Sequence, residues 1–167
     1  MLSDIDSANN LVELFLKRAD EKGDFPFLGA KREGEWQTIS WREAADRVCL
    51  LAEGLRGLGL RDGDRVCLVS ENRPEWCIAD LAIMAAGCIT VPAYITNTER
   101  DHVHILDNSG AKAVIVSTEK LLRPLHGALQ ASGVAEHVIG IEDLHRQQSG
   151  SFSFHKWDRM LEGDPAA

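Results

Sequence analysis

The sequence predicts an α/β fold: a mainly parallel sheet with helices on both faces, preceded by an N-terminal helix and a short antiparallel hairpin. Three observations carry that expectation. From Arg65 onward, apolar runs of four to six residues alternate with longer stretches of helical periodicity. Such alternation implies βαβ units, whose strands must lie parallel. Upstream, Ser40-Trp41-Arg42-Glu43 has the pattern of a capping box at a helix start. Before it, two extended segments flank a turn at Glu33-Gly34-Glu35.

The first helix rests on Leu11, Leu14, Phe15 and Ala19, which recur at helical spacing behind candidate caps at Ser7 or Asn9. Gly23 and Pro26 break it. The hairpin strands are expected over Phe27–Arg32 and Trp36–Ile39. Behind Ser40, the residues Ala44, Ala45, Val48, Leu51, Ala52, Leu55 and Leu58 keep to one helical face, and Gly59 stands where a left-handed cap is wanted.

Arg65–Ser70 is a short apolar strand after the turn Arg61–Asp64. Asn72 and Pro74 mark the next helix start, with Asn72 as N-cap and Pro74 in the first turn, where its missing N–H costs nothing. This helix is apolar nearly all round except at Glu75 and Asp80, so burial is expected, and Gly87 ends it. Cys88–Val91 is the following strand, with Pro92 closing it. Thr98 caps a helix running through Asn108, stopped by Gly110. Lys112–Val116 is a strand, Glu119–Ala131 a helix that Pro124 kinks or opens, and Val138–Ile141 a strand. Gln147–Gly150 reads as loop, His155–Leu161 as a short helix and Glu162–Ala167 as a polar tail.

The 167 residues suit one domain, and at this size roughly 70% of the unfolded surface can be buried. Hydrophobic residues make up 44% and charged residues 26%, which rules out intrinsic disorder. The formal net charge of −8, with the cations scattered, repels phosphate backbones and excludes nucleic acid as a partner. No segment approaches the roughly 18 apolar residues a membrane span needs. The acidic start (Asp4, Asp6, Glu13) is unlike a signal peptide, so a cytoplasmic location is expected.

Cys49, Cys67, Cys77 and Cys88 lie in apolar runs without a C-x-x-C pair, which predicts buried free thiols. His102 and His104, the closest histidines, point about 200° apart on a helix and cannot grip one ion, so no metal site is expected. The run Gly54-Leu55-Arg56-Gly57-Leu58-Gly59 ends a helix rather than opening one, so it is an exit turn and not a phosphate cradle. Neither a P-loop pattern nor a G-x-S-x-G elbow occurs, and no catalytic residue is assigned. Two loops remain. Ser70–Arg73 and Pro92–Asn97 both leave the carboxyl end of a predicted strand, where open α/β sheets bind ligands. Asn72 is a second-choice ligand contact on the first loop. On the other, Tyr94 (the sole tyrosine), Ile95, Thr96 and Asn97 stand beside a helix N-terminus.

From Ser40 to Val116 the motifs run in order: S-W-R-E-A, then L-A-E-G-L-R-G-L-G-L-R-D-G-D-R-V, S-E-N-R-P-E-W, D-L-A-I-M-A-A-G, V-P-A-Y-I-T-N-T and I-L-D-N-S-G-A-K-A-V-I-V. Together they resemble the opening region of the adenylate-forming (AMP-binding) superfamily, which includes acyl-CoA synthetases, luciferases and peptide-synthetase adenylation domains. S-E-N-R-P-E-W and V-P-A-Y, with the start at Leu11–Ala19, most resemble long-chain fatty-acid–CoA ligases. The resemblance thins after Thr118.

The resemblance implies a two-step reaction: ATP with Mg²⁺ converts a carboxylate to an acyl-adenylate and pyrophosphate, and coenzyme A then displaces AMP. It implies that residues 1–167 are the N-terminal subdomain of such a ligase, whose partner is the remainder of its own polypeptide. The family's Ser/Thr/Gly-rich phosphate loop closed by lysine, its adenine-binding aromatic motif, its ribose-binding aspartate and its catalytic lysine are not found here, so the chain alone is expected to be inactive. Tyr94, Ile95 and Thr96 match the family's loop near the CoA-pantetheine channel, with Asn97 beside it. Fatty substrates partition into bilayers, which leaves peripheral membrane contact open for the whole enzyme, although no basic amphipathic helix here supplies it. The other readings are a stand-alone binding module without catalysis, and an acyl-AMP ligase or amino-acid-activating enzyme with a different acceptor.

Overall fold

The computed structural model describes residues 8–144 and 152–163. The expected loop Gln147–Gly150, the candidate cap Ser7 and the end of the polar tail lie outside them. Helix α1 spans Leu11–Lys22, and its cap is Asn10, whose side chain accepts the Glu13 N–H at 2.8 Å. Asn9 sits one residue outside and donates to the Glu13 carboxylate instead, from both its backbone and its side chain.

Strands β1 (Pro26–Arg32) and β2 (Glu35–Ser40) form the expected antiparallel hairpin. Its turn is two residues long, because Glu35 already pairs with Arg32. Glu33 and Gly34 have φ of 51° and 88°. Positive φ at both central positions is the geometry whose twist matches the flanking strands.

Helix α2 (Trp41–Gly57) begins on Ser40, whose hydroxyl accepts the Glu43 N–H at 3.1 Å. Only that half of the predicted box forms. The Glu43 carboxylate takes an ion pair with Arg47 one turn on, at 2.5 Å. At the other end, Leu60 N–H reaches the Leu55 carbonyl and Gly59 N–H the Arg56 carbonyl, with Gly59 at φ 91°. This is the paired closure that needs a left-handed residue after the cap, so the glycine run is a helix exit.

Strands β3 (Arg65–Val69), β4 (Ile89–Ala93), β5 (Ala113–Val116), β6 (His137–Gly140) and β7 (Ser153–Lys156) make one sheet in the order β4-β3-β5-β6-β7. Every neighbouring pair is parallel. The helices are α3 (Pro74–Ala85), α4 (Glu99–Ser109), α5 (Glu119–Ser132) and α6 (Trp157–Leu161). Successive strand residues point to opposite faces, so the sheet feeds two cores. Val66, Leu68, Ile115 and Ile139 pack with Leu55, Ile78 and Met160, beneath α2, α3 and α6. Cys67, Val69, Val114, Val116 and Val138 pack with Leu106, Leu125 and Leu129 of α4 and α5. The predicted fold class is the observed one.

Four expectations change on inspection. Pro92 lies inside β4, opposite Leu68, rather than after it. Because β4 is an edge strand, its outward side needs no N–H and tolerates proline. His155–Leu161 is not one helix: Ser153–Lys156 is a strand on β6, and the helix starts only at Trp157. The N-cap of α3 is Arg73, in extended conformation without a side-chain bond, so Asn72 does not cap it. Pro124 sits within α5 (Glu119–Ser132), beyond its first turn, so of the two expected alternatives it does not open the helix.

All four cysteines are free, but Cys49 is exposed and Cys77 only half-buried. Burial pushes the Cys67 thiol up to about 12, leaving roughly one part in 10⁵ as thiolate at neutral pH. A thiol reagent at pH 7 should therefore modify Cys49 first and Cys67 only after denaturation. Mass mapping before and after guanidinium checks this, and native labelling of Cys67 would contradict the two-sided burial of β3.

Candidate functional site

The two loops singled out in the sequence leave β3 and β4 side by side, because the register aligns Val69 with Ala93 at the strands' carboxyl ends. They face each other across a cleft of about 410 Å³. Ser70–Asn72 forms one wall, Pro92–Ile95 the other, and Trp76 enters from α3. Carboxyl ends of parallel strands are where such sheets place ligands.

Tyr94 is 81% exposed and Ile95 47% exposed, a large apolar and aromatic surface for a loop tip. Both border the cleft. Thr96 and Asn97 do not. They complete a turn closed by Asn97 N–H to the Tyr94 carbonyl at 3.1 Å. Asn97 Nδ2 is buried with no hydrogen-bond partner among the described residues. The helix N-terminus beside this turn is self-satisfied: Thr98 and Asp101 form a full capping box, and the Asp101 carboxylate takes the Thr98 N–H at 2.9 Å. With its own carboxylate in place it offers no anion site.

Asn72, freed from capping, borders this cleft and a second one of about 590 Å³ between the hairpin and α3. Leu28–Lys31 and Trp36 line the hairpin side of the second cleft. Arg73, which lines the second cleft, is the centre of an ion-pair chain. Arg73 Nε meets Glu75 at 2.8 Å, Arg73 Nη1 meets Glu142 at 2.8 Å, and Arg32 meets the other Glu75 oxygen at 2.5 Å. Glu75, one of the two charged residues on the helix expected to be buried, is itself buried at 8% exposure. Burial would push its carboxyl up, but the two arginines and its own N–H outweigh burial and hold it below the ordinary value.

Sequence reasoning named Glu71 only as part of the Ser70–Arg73 loop, without a role, and missed Ser117. Ser117 directly follows β5, so it stands at the carboxyl end of the strand next to β3, and its buried hydroxyl donates to the Glu71 carboxylate. Burial pushes Glu71 up, yet this bond, its own N–H, Arg73 and Lys120 together hold it below its ordinary value. Glu71 is therefore a fixed anion at neutral pH rather than a proton donor. With a fixed anion on one wall and Arg73 already paired, the cleft does not suit a polyphosphate. Nor, among the described residues, does any group of three His, Cys, Asp or Glu side chains stand ready for a metal.

The geometry defines an open parallel α/β domain with a cleft at the strand carboxyl ends. The profile of the AMP-binding enzyme family matches residues 15–164. The chain belongs to that family. The long-chain-fatty-acid–CoA ligase FadD15 of Mycobacterium tuberculosis is 30% identical over 135 residues, covering 79% of this chain and 22% of that protein. The uncharacterized protein Rv1549 of the same organism is 35% identical over 116 residues, covering 69% of this chain and 63% of that protein. Among solved structures, the adenylation domain of a carboxylate reductase from Mycobacterium chelonae superposes with a TM-score of 0.80 at 16% identity, over 97% of this chain and 30% of that one. That likeness carries the fold alone. Among the described residues, no helix is long and apolar enough to cross a membrane.

Proposed function

We propose that residues 1–167 act as the N-terminal subdomain of an ATP-dependent acyl-CoA ligase, with a long-chain fatty acid as the activated carboxylate. In this role the subdomain supplies half of the layered scaffold and one wall of the acyl or CoA path. ATP, Mg²⁺ and the catalytic groups belong to the rest of the polypeptide. The observation that carries the reading is the cleft at the carboxyl ends of β3 and β4, with Tyr94 and Ile95 presented beside it. Pantetheine is a thin chain of amides and methylenes, and a cleft with an aromatic rim and few fixed charges suits it.

Two outcomes follow. The purified chain should show no ATP–pyrophosphate exchange, since it carries no phosphate loop, and a rate above background would overturn the assignment of adenylation to the remainder. Pantetheine at millimolar concentration should shift the amide signals of Tyr94, Ile95 and Thr96 and lose that effect in Tyr94→Ala. An unmoved spectrum would remove these residues, with Asn97 and Asn72, from the channel.

A stand-alone binding module is the second reading, favoured by Rv1549, most of whose length the match already covers. The two differ in surface. Ile89, Tyr94 and Ile95 leave the β4 edge apolar and exposed, which supports a face awaiting more chain and predicts self-association. Light scattering that finds a clean monomer would favour the module.

A further inference from the structure

The six histidines have no metal-ligand spacing in the sequence, yet the sheet brings two of them together across 18 residues. His137 opens β6 and His155 is the third residue of β7. The parallel register sets His137 against Ser153 and Ile139 against His155. The two imidazoles are therefore diagonal neighbours on one face of the sheet. His137 Nδ1 lies 3.1 Å from His155 Nε2, with ring centroids 5.2 Å apart and planes inclined at 53°. Both residues are half-buried, so solvent reaches the pair while the strands fix its backbone.

Two ring nitrogens bound to one ion at about 2.0–2.1 Å stand roughly 2.9 Å apart at a right angle and about 3.3 Å apart at the tetrahedral angle. The observed separation falls between those values. A hydrogen bond between the rings has the same span and uses one facing nitrogen as donor, but when that ring carries its proton on its other nitrogen instead, both facing lone pairs are free for an ion. Because β6 and β7 already hold the rings in place, little ordering remains to oppose binding.

We propose that His137 and His155 form a two-nitrogen site for a borderline divalent transition ion such as Zn²⁺, Ni²⁺ or Cu²⁺. Imidazole suits these ions and leaves Mg²⁺ and Ca²⁺ aside. Water can complete the coordination; among the described residues no third His, Cys, Asp or Glu joins the pair. The register places His137 level with Ala113 and Val66, at the amino ends of the strands. The site is thus remote from the cleft at the carboxyl ends of β3 and β4, and it clips the edge strand β7 to β6. It does not rest on the ligase reading.

The test uses the whole chain, free of any histidine tag, titrated with Ni²⁺ by calorimetry. The expected result is one ion per chain and a Tm raised by about 5 °C at a hundredfold excess over Kd. His137→Gln and His155→Gln should each weaken binding by about tenfold or more. Should either variant unfold, the unaltered chain decides, because bound Ni²⁺ must protect both histidines, and no others, from diethylpyrocarbonate as read by mass mapping. Absence of saturable binding below about 1 mM, binding retained in the double variant, an ion shared by two chains, or protection of other histidines would each overturn the site.

Discussion

Replacing Ile115 by alanine is expected to remove about 3–4 kcal/mol of unfolding free energy, a large part of what a domain of this size possesses. Ile115 is fully buried in β5, with Leu68 of β3 on one side and Ile139 of β6 on the other. All three belong to the core beneath α2, α3 and α6. A cavity there is walled by strands that cannot close over it without breaking two ladders, so relaxation recovers little. The urea midpoint should fall with an unchanged slope, and Tm should drop by roughly 10 °C. Leu11→Ala is the control, since Leu11 is 56% exposed, and it should stay within about 0.5 kcal/mol. A loss below about 1 kcal/mol at Ile115 would mean that the sheet is not packed as described. The same strand carries Ser117 at its end, so loosening β5 should also release Glu71 beside the cleft.

What could be read from the chain divides by the range of the forces involved. Helix α2 was legible because its cap, its apolar face and its Gly59 exit all lie within one local stretch. The strands β3, β5 and β6 were legible because burial on both faces makes them continuous apolar runs. Strand β7 was hidden because Ser-Phe-His-Lys is half exposed and gains its ladder only from β6. Asn72 looked like a cap by residue type, but the extended backbone needed there falls on Arg73, next to Pro74, leaving Asn72 at the junction of two clefts. The two loops of the cleft were found from strand ends alone. The partners that set its charge were not, since Glu71 and Ser117 are 46 residues apart and meet only through the strand order.

Removing the Glu75 carboxylate is the second large effect. Glu75→Ala is expected to cost about 2–3 kcal/mol. Its carboxylate joins Arg73 and Arg32, so alanine leaves both cations with one partner fewer. The Arg32 side chain is 49% exposed and regains water, so it contributes little. Arg73 is 20% exposed and keeps Glu142 alone, so most of the loss falls there. Glu75→Gln keeps the shape and an acceptor but not the charge, and should cost about half as much. The pH dependence has a definite sign. The Glu75 carboxyl sits below its ordinary value of 4.5 in the folded chain. Its stabilisation is therefore full above that value and is lost as pH falls through the lowered one. Stability curves of the parent chain and Glu75→Gln should diverge at neutral pH and converge in acid. Arg73 belongs to the segment from β3 into α3, so the Glu75→Ala change should also disorder Asn72 and shift the amide signals of Ser70–Arg73. A loss below about 0.5 kcal/mol would show that these are ordinary surface pairs, and that packing of α3 on β3 alone holds the loop.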